Sequence, residues 1–76
     1  MKTLGSVDSV VYTTLIDDTG TYKYIGEAVP GSNTTSGKAD TRWRIQRVTN
    51  SSGTIDIAGS DEFNQIWDNR ASLTYA

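Results

Sequence analysis

Alternation of apolar and polar residues along the first third of the chain predicts a β-hairpin. Residues 9–17 (SVVYTTLID) are rich in β-branched and aromatic side chains, and both alternating sets contain apolar residues. An extended pattern resumes at residues 21–27 (TYKYIGE). Between the two lies DDTG, in which Gly20 is free to adopt positive φ. We therefore expect an antiparallel pair whose first strand has both faces partly covered.

A second hairpin is predicted in the middle of the chain. Residues 41–49 (TRWRIQRVT) follow an extended pattern, and residues 54–58 (TIDIA) alternate after the turn signal NSSG. The intervening residues 28–40 hold the only proline, two glycines and a cluster of Ser, Thr and Asn. This composition predicts a mobile loop, either functional or a simple connection between sheet edges.

The last third of the chain changes its period. Phe63, Ile66 and Trp67 are spaced i, i+3 and i+4, which predicts one short helical turn at residues 61–67. Residues 71–75 (ASLTY) alternate again and predict a final strand. The expected fold class is all-β: a small antiparallel β-barrel or sandwich of about five strands with that one helical turn.

The chain is short enough to suggest that it needs partners. Its 76 residues allow one domain, predicted at residues 9–76, with an amino-terminal arm at residues 1–8 that can pair with a neighbour's sheet edge. A domain of this size has a marginal core. Without Cys it has no disulfides, and without His and Cys a metal site is not expected, so oligomerisation is the remaining means of stabilisation. No segment qualifies as a secretory signal or a membrane span.

The sequence contains no catalytic signature. Without His and Cys, the usual general base and the strongest nucleophile are both missing, and no Ser-x-x-Lys spacing occurs. The adjacent carboxylates at residues 17–18 and 61–62 fit a turn and a helix start better than a glycosidase pair. We therefore expect a protein that is not an enzyme and that has no catalytic residues, no cofactor and no metal.

Three arginines lie close together in the strand at residues 41–49. Arg42 and Arg44 share one face, while Arg47 shares the opposite face with Trp43 and Ile45. The arginines can form an intersubunit seam, a solvated or internally paired face, or a surface for nucleic acid. The net charge of −2 argues against nucleic acid. Arg47 is expected to reach the rim of the core or to pair with a carboxylate such as Asp68.

Aromatic residues supply most of the material for a core. Trp43 and Trp67 are the predicted core anchors, because a chain this small has little to spare for ligand stacking. Tyr22, Tyr24 and Tyr75 lie on shorter or terminal strands and are candidates to cover a neighbouring chain. They are also the candidates for stacking on a sugar.

Three stretches resemble a group of short structural proteins of tailed bacteriophages. They are YIGEA at residues 24–28, WRIQRV at residues 43–48 and FNQIWDNRASLTY at residues 63–75. The similarity covers residues 20–76. It implies a virion component present in many copies, such as a capsid decoration or a neck, tail or fibre-associated piece, assembled in the host cytoplasm. It implies no catalytic residues.

The leading hypothesis is a non-enzymatic bacteriophage virion structural protein that forms homo-oligomers and docks on other virion proteins. The runner-up is a carbohydrate-binding module that attaches the particle to a host-surface glycan, and the third hypothesis is a small nucleic-acid-binding barrel. The candidate interface residues are Arg42, Arg44, Arg47, Asp68, Arg70, Tyr22, Tyr24 and Tyr75.

Overall fold

The computed structural model describes residues 11–76. The predicted arm at residues 1–8, and the first two residues of the predicted first strand, lie outside the described residues. The elements in chain order are β1 (Thr13–Asp18), β2 (Tyr22–Ala28), α1 (Thr35–Lys38), β3 (Thr41–Thr49), β4 (Thr54–Ile57), β5 (Gln65–Ile66) and a 3-10 helix (Trp67–Ser72).

These elements form an antiparallel sheet, which confirms the all-β prediction. The strand order is β1-β2-β3-β4, and the short strand β5 pairs with the beginning of β3 beyond the end of β4. The sheet does not close into a barrel. Its edge strands β1 and β4 stay apart, and the outer edge of β4 is bonded instead to the end of the chain: the Ile57 amide donates to the Ala76 carbonyl at 3.1 Å, and the Ala76 amide donates back at 3.2 Å.

Both predicted hairpins are present, and each turn uses a glycine with positive φ. Gly20 has φ 94° in the first turn, and Gly53 has φ 73° in the second. The Asp18 carboxylate accepts from the Gly20 amide at 2.9 Å and from the Asn50 side chain at 3.0 Å, so it links the two turns. These two hydrogen bonds, the Gly20 amide first, lower the pKa of Asp18 below its ordinary value.

The carboxyl-terminal third differs from the prediction. The helical turn predicted at residues 61–67 is wrong: Asp61 has φ 62°, in the left-handed region, and Gln65–Ile66 is the strand β5. The helical residues come later, in the 3-10 helix. The predicted strand at residues 71–75 is also wrong, because the chain is helical as far as Ser72 and then makes only an isolated bridge between Tyr75 and Ala58. Pairing with β3 and β4 decided these conformations.

The predicted loop at residues 28–40 contains one ordered turn of helix, α1. The Thr34 hydroxyl caps it by accepting from the Gly37 amide at 3.0 Å. The indole Nε1 of Trp43 donates to the Gly37 carbonyl at 2.9 Å, and both atoms are buried. The segment is therefore tied to the core and is more than a connection between strands.

The core lies on one face of the sheet. Trp43 is fully buried and Trp67 is 5% exposed, which confirms both as core anchors, and their ring centroids are 5.7 Å apart. Phe63, which the helical spacing grouped with them, is 40% exposed and packs against Tyr12 outside this core. The buried apolar residues are Tyr24, Ala28, Trp43, Ile45, Ala58 and Trp67.

Candidate functional site

The two faces of the sheet differ in what covers them. One face, here called the covered face, carries the core side chains of β1 to β4 and is overlain by the carboxyl-terminal segment, residues 67–76. Trp67 packs on Gly26, and Tyr75 packs beside Tyr24 with ring centroids 6.0 Å apart. This face is therefore occupied by the chain itself.

The opposite face, here called the open face, consists of three cross-strand rows set by the strand register. The central row crosses all four strands through Ile16, Ile25, Gln46 and Ile57. One flanking row contains Asp18, Lys23, Val48 and Ile55. The other flanking row contains Thr14, Glu27 and Arg44.

The open face is apolar at its centre and exposed at its edges. Ile16 on β1 is 63% exposed and Ile55 on β4 is 58% exposed. Ile25, Val48 and Ile57 between them are only partly buried. The two exposed isoleucines lie on opposite edge strands, and the partly buried aliphatic side chains between them join them into one apolar surface, which is typical of contact with another molecule. These residues are not among the predicted interface candidates, although apolar residues in both alternating sets of the first strand were a signal for them.

Each of the four arginines is paired with a carboxylate of the same chain. Arg42 binds Asp40 at 2.7 Å, and this contact lowers the pKa of Asp40 together with the Thr41 amide. Arg44 binds Glu27, which raises the pKa of Arg44. The pairs for the other two arginines are Arg47 with Asp56 at 3.5 Å and Arg70 with Asp17 at 3.0 Å. The charge of each arginine is therefore compensated within the chain. A role for these arginines in an interface stays a prediction.

Arg47 lies on the covered face, as predicted, but Asp68 is not its partner. Its carboxylate partner is Asp56, the residue directly opposite on β4. Its guanidinium lies between two rings, 4.5 Å from the centroid of Tyr22 and 4.6 Å from that of Tyr75. Cross-strand pairing decided the partner, because Asp56 is held beside Arg47 by the register while Asp68 is exposed on the 3-10 helix. Arg47 Nε is buried without a hydrogen-bond partner among the described residues.

Arg44 lies on the open face, next to two aromatic residues that come from outside the strands. Its guanidinium is 4.9 Å from the ring centroid of Phe63 and 5.8 Å from that of Tyr12. Besides Glu27, Asp61 makes a longer ion pair with Arg44: its carboxylate oxygen lies 3.9 Å from Arg44 Nε. This cluster forms one boundary of the apolar surface.

The three candidate tyrosines are located on the covered face. Tyr24 is 5% exposed and belongs to the core, so its ring does not lie on the surface. Tyr22 and Tyr75 are partly buried, and both contact the Arg47 guanidinium. The Tyr75 hydroxyl donates to the Arg70 carbonyl at 2.7 Å, and burial raises its pKa to about 12, with the neighbouring Tyr24 adding to the shift. Burial leaves the Tyr24 ring no free face for a sugar, whereas Tyr22 and Tyr75 keep part of their surface accessible.

Searches of residues 11–76 for a metal-ion cluster, a membrane-spanning helix and a pocket found none of these features. They contain no cluster of three or more His, Cys, Asp or Glu placed to hold a metal ion. No helix among them is long and apolar enough to cross a membrane. Within the same range, no pocket is present. The open face, with Ile16 and Ile55 exposed, is the surface of this range that we consider for a function.

The sequence matches no protein-family model, and no curated protein and no solved structure matches it either. The resemblance to structural proteins of tailed phages stays a prediction.

Proposed function

We propose that this chain is a non-enzymatic structural subunit of a bacteriophage virion, which works by self-association and by docking on other virion proteins. The observation that carries the proposal is the open face. Its isoleucines are exposed by 63% at position 16 and by 58% at position 55, whereas the other face of the same sheet is overlain by the carboxyl-terminal segment.

The chemistry of the open face suits a protein partner. Aliphatic side chains neither stack on sugar rings nor bind phosphate, but they form the apolar centre of protein–protein interfaces. Burying one isoleucine side chain stabilises a complex by about 1.5–3 kcal/mol. A domain with a core of six buried apolar residues therefore gains much of its stability from a neighbour when its local concentration is high.

The virion is proposed as the assembly because of the phage resemblance. A capsid decoration, neck, tail or fibre-associated position each provides the repeated, concentrated environment in which a weak apolar surface is permanently covered. The host cytoplasm, where such particles assemble, requires neither a signal segment nor disulfides.

Particle composition tests this proposal. Virions purified on a density gradient from cultures that carry the gene should contain the chain at a constant molar ratio to the major capsid protein, measured by quantitative mass spectrometry. On the order of hundreds of copies per particle indicates a shell or tube, and about a dozen or fewer indicates a neck or tip. Presence of the chain in the lysate but absence from the purified particles would contradict the proposal.

A pair of matched variants connects the particle to the open face. Ile16→Lys places a charge on the open face and should abolish incorporation. Val11→Lys changes a residue that is 72% exposed and lies before β1, and it should be incorporated like the wild type. Equal incorporation of both variants would mean that the open face is not the docking surface. Glycan-array binding by wild type, lost in Tyr22→Ala with the fold intact, would instead support the carbohydrate-binding alternative.

A further inference from the structure

Two of the charges on the open face are arranged symmetrically about Ile25. Lys23 and Glu27 lie on β2, two residues before and two residues after Ile25, and all three point to the same face. The Cα atoms of Lys23 and Glu27 are therefore each about 7 Å from that of Ile25, in opposite directions along the strand. A surface with this pattern is complementary to a copy of itself whose β2 runs in the opposite direction.

The two charges also have capacity for a further partner. Lys23 takes part in none of the ion pairs formed within residues 11–76. Glu27 is bound by Arg44, but its side chain is 32% exposed, and a carboxylate accepts hydrogen bonds from more than one cation. An incoming ammonium can therefore reach Glu27 without displacing Arg44.

We propose that the open face binds a second copy of this chain about a two-fold axis along the central row. This inference rests on the proposed function, since it names the first partner of a self-associating subunit. Rotation about that axis places Ile16, Ile25 and Ile57 against the same residues of the second copy. It reverses the direction of β2, so that Lys23 of each copy faces Glu27 of the other.

The same rotation also fixes which other residues of the open face meet, and it brings Asp18 of each copy opposite Thr14 of the other. Gln46 lies on the axis, where two side-chain amides can donate to each other and accept from each other. Val48 of one copy is brought towards Arg44 and its ring partners Tyr12 and Phe63 in the other copy. An axis along β2 itself would oppose Lys23 to Lys23 and Glu27 to Glu27, and like charges in contact are unfavourable. Charge therefore favours the axis along the central row over an axis along β2.

The size of the open face predicts that the dimer is weak. Four strands about 4.8 Å apart, crossed by three rows that span about five residues at about 3.3 Å each, present roughly 300 Å² per copy. Stable complexes bury about 800 Å² per partner. We therefore expect a dissociation constant in the micromolar to millimolar range, so that the contact forms where the subunit is concentrated and dissociates on dilution.

Sedimentation equilibrium of four forms of the purified chain tests the arrangement. Lys23→Glu replaces two attractive contacts with two repulsive ones and should raise the dimer dissociation constant at least about tenfold. Glu27→Lys should do the same. An equimolar mixture of the two single variants should recover dimers, because every facing pair is then of opposite charge. Lys38→Glu makes the same charge change in α1, away from the open face, and should leave the dissociation constant unchanged.

The apolar contribution is tested with a second matched pair. Ile16→Thr should raise the dissociation constant, while Val11→Thr, at an exposed residue outside the strands, should not. Near-ultraviolet circular dichroism of the stacked Trp43 and Trp67 verifies in every case that the fold is retained. The isoleucine variant keeps all charges, so its effect does not depend on the Glu27–Arg44 pair.

The outcomes separate this inference from the proposed function. Wild type that dimerises, with Lys23→Glu dimerising equally well, would overturn the two-fold arrangement. Wild type that stays monomeric up to about 1 mM would overturn dimerisation through the open face. In both cases incorporation of the wild type into virions, measured separately, still decides whether the chain is a structural subunit.

Discussion

Trp67 of the 3-10 helix packs directly on Gly26 of β2, at a position that has no room for a side chain. A Cβ at residue 26 would lie 2.5 Å from Cε3 of Trp67 and 3.1 Å from Cε3 of Trp43. The carboxyl-terminal segment is thus held against the covered face by an indole that occupies the space above a glycine.

Gly26→Ala should lower the free energy of unfolding by about 2 kcal/mol, because both indoles must move to admit the methyl group. Urea unfolding followed by tryptophan fluorescence measures the change. Gly53→Ala is the comparison: it has open space around it but φ 73°, so it should cost about 1 kcal/mol through backbone strain alone. If Gly26→Ala were as stable as the wild type, the Trp67 contact would not be close-packed.

Trp43→Phe should lower the free energy of unfolding by about 2 kcal/mol and loosen α1 selectively. The indole Nε1 is the donor to the buried Gly37 carbonyl at 2.9 Å. Phenylalanine removes this bond and leaves the carbonyl only the longer one from the Asp40 amide at 3.2 Å. Hydrogen exchange measures the local effect. The Lys38 amide, bonded to the Thr34 carbonyl, should exchange faster by a larger factor than the Gly53 amide, bonded to the Thr49 carbonyl. Equal acceleration at both amides would contradict a local role for the indole.

The Arg70–Asp17 pair should contribute to holding the 3-10 helix against β1. The two residues are 53 positions apart, and the Arg70 guanidinium is also 4.6 Å from the centroid of the Trp67 ring. A double-mutant cycle with Arg70→Ala and Asp17→Ala should give a coupling free energy of about 0.5–1 kcal/mol, as expected for a partly exposed pair. The same cycle on Arg42 and Asp40, exposed and two residues apart, should give a value near zero. Coupling energies of equal size in the two cycles would mean that the Arg70 pair does not anchor the helix.

Stability should fall at high pH because of Tyr75. Its folded pKa is raised from 10.0 to about 12, chiefly by burial. The unfolded chain therefore releases this proton at a lower pH than the folded chain does, so stability is full below pH 10 and declines as the pH rises towards 12. The full pKa difference corresponds to roughly 2.7 kcal/mol. We expect a loss of about 1 kcal/mol, because the ring is only partly buried and solvent screens the rest.

Tyr75→Phe provides the control for the pH dependence. Phenylalanine lacks the hydroxyl that donates to the Arg70 carbonyl, so the variant should start about 1 kcal/mol less stable. Its stability should then decline less between pH 9 and 12 than that of the wild type. The difference in slope isolates Tyr75 from the other tyrosines and the lysines, which titrate in both proteins. Parallel curves would show that the Tyr75 hydroxyl is not shifted.

The hairpins and the two-sided character of the strands could be predicted from local patterns. Alternate residues of an extended chain point to opposite faces, so Trp43 and Ile45 had to share one face and Arg42 and Arg44 the other. The turns at Gly20 and Gly53 depend on backbone conformations that glycine adopts without strain. Both kinds of information lie within a few neighbouring residues.

Long-range contacts settled the rest. The helical spacing of Phe63, Ile66 and Trp67 did not produce a helix at residues 61–66. Instead, β5 pairs with β3, and Trp67 packs on Gly26, which lies about 40 residues earlier in the chain. The carboxylate partners of Arg47 and Arg70, and the choice of which sheet face is overlain, arise in the same way. Spacing along a chain specifies which side chains can share a surface, but only folding brings distant segments together to cover one surface and leave the isoleucines of the other exposed.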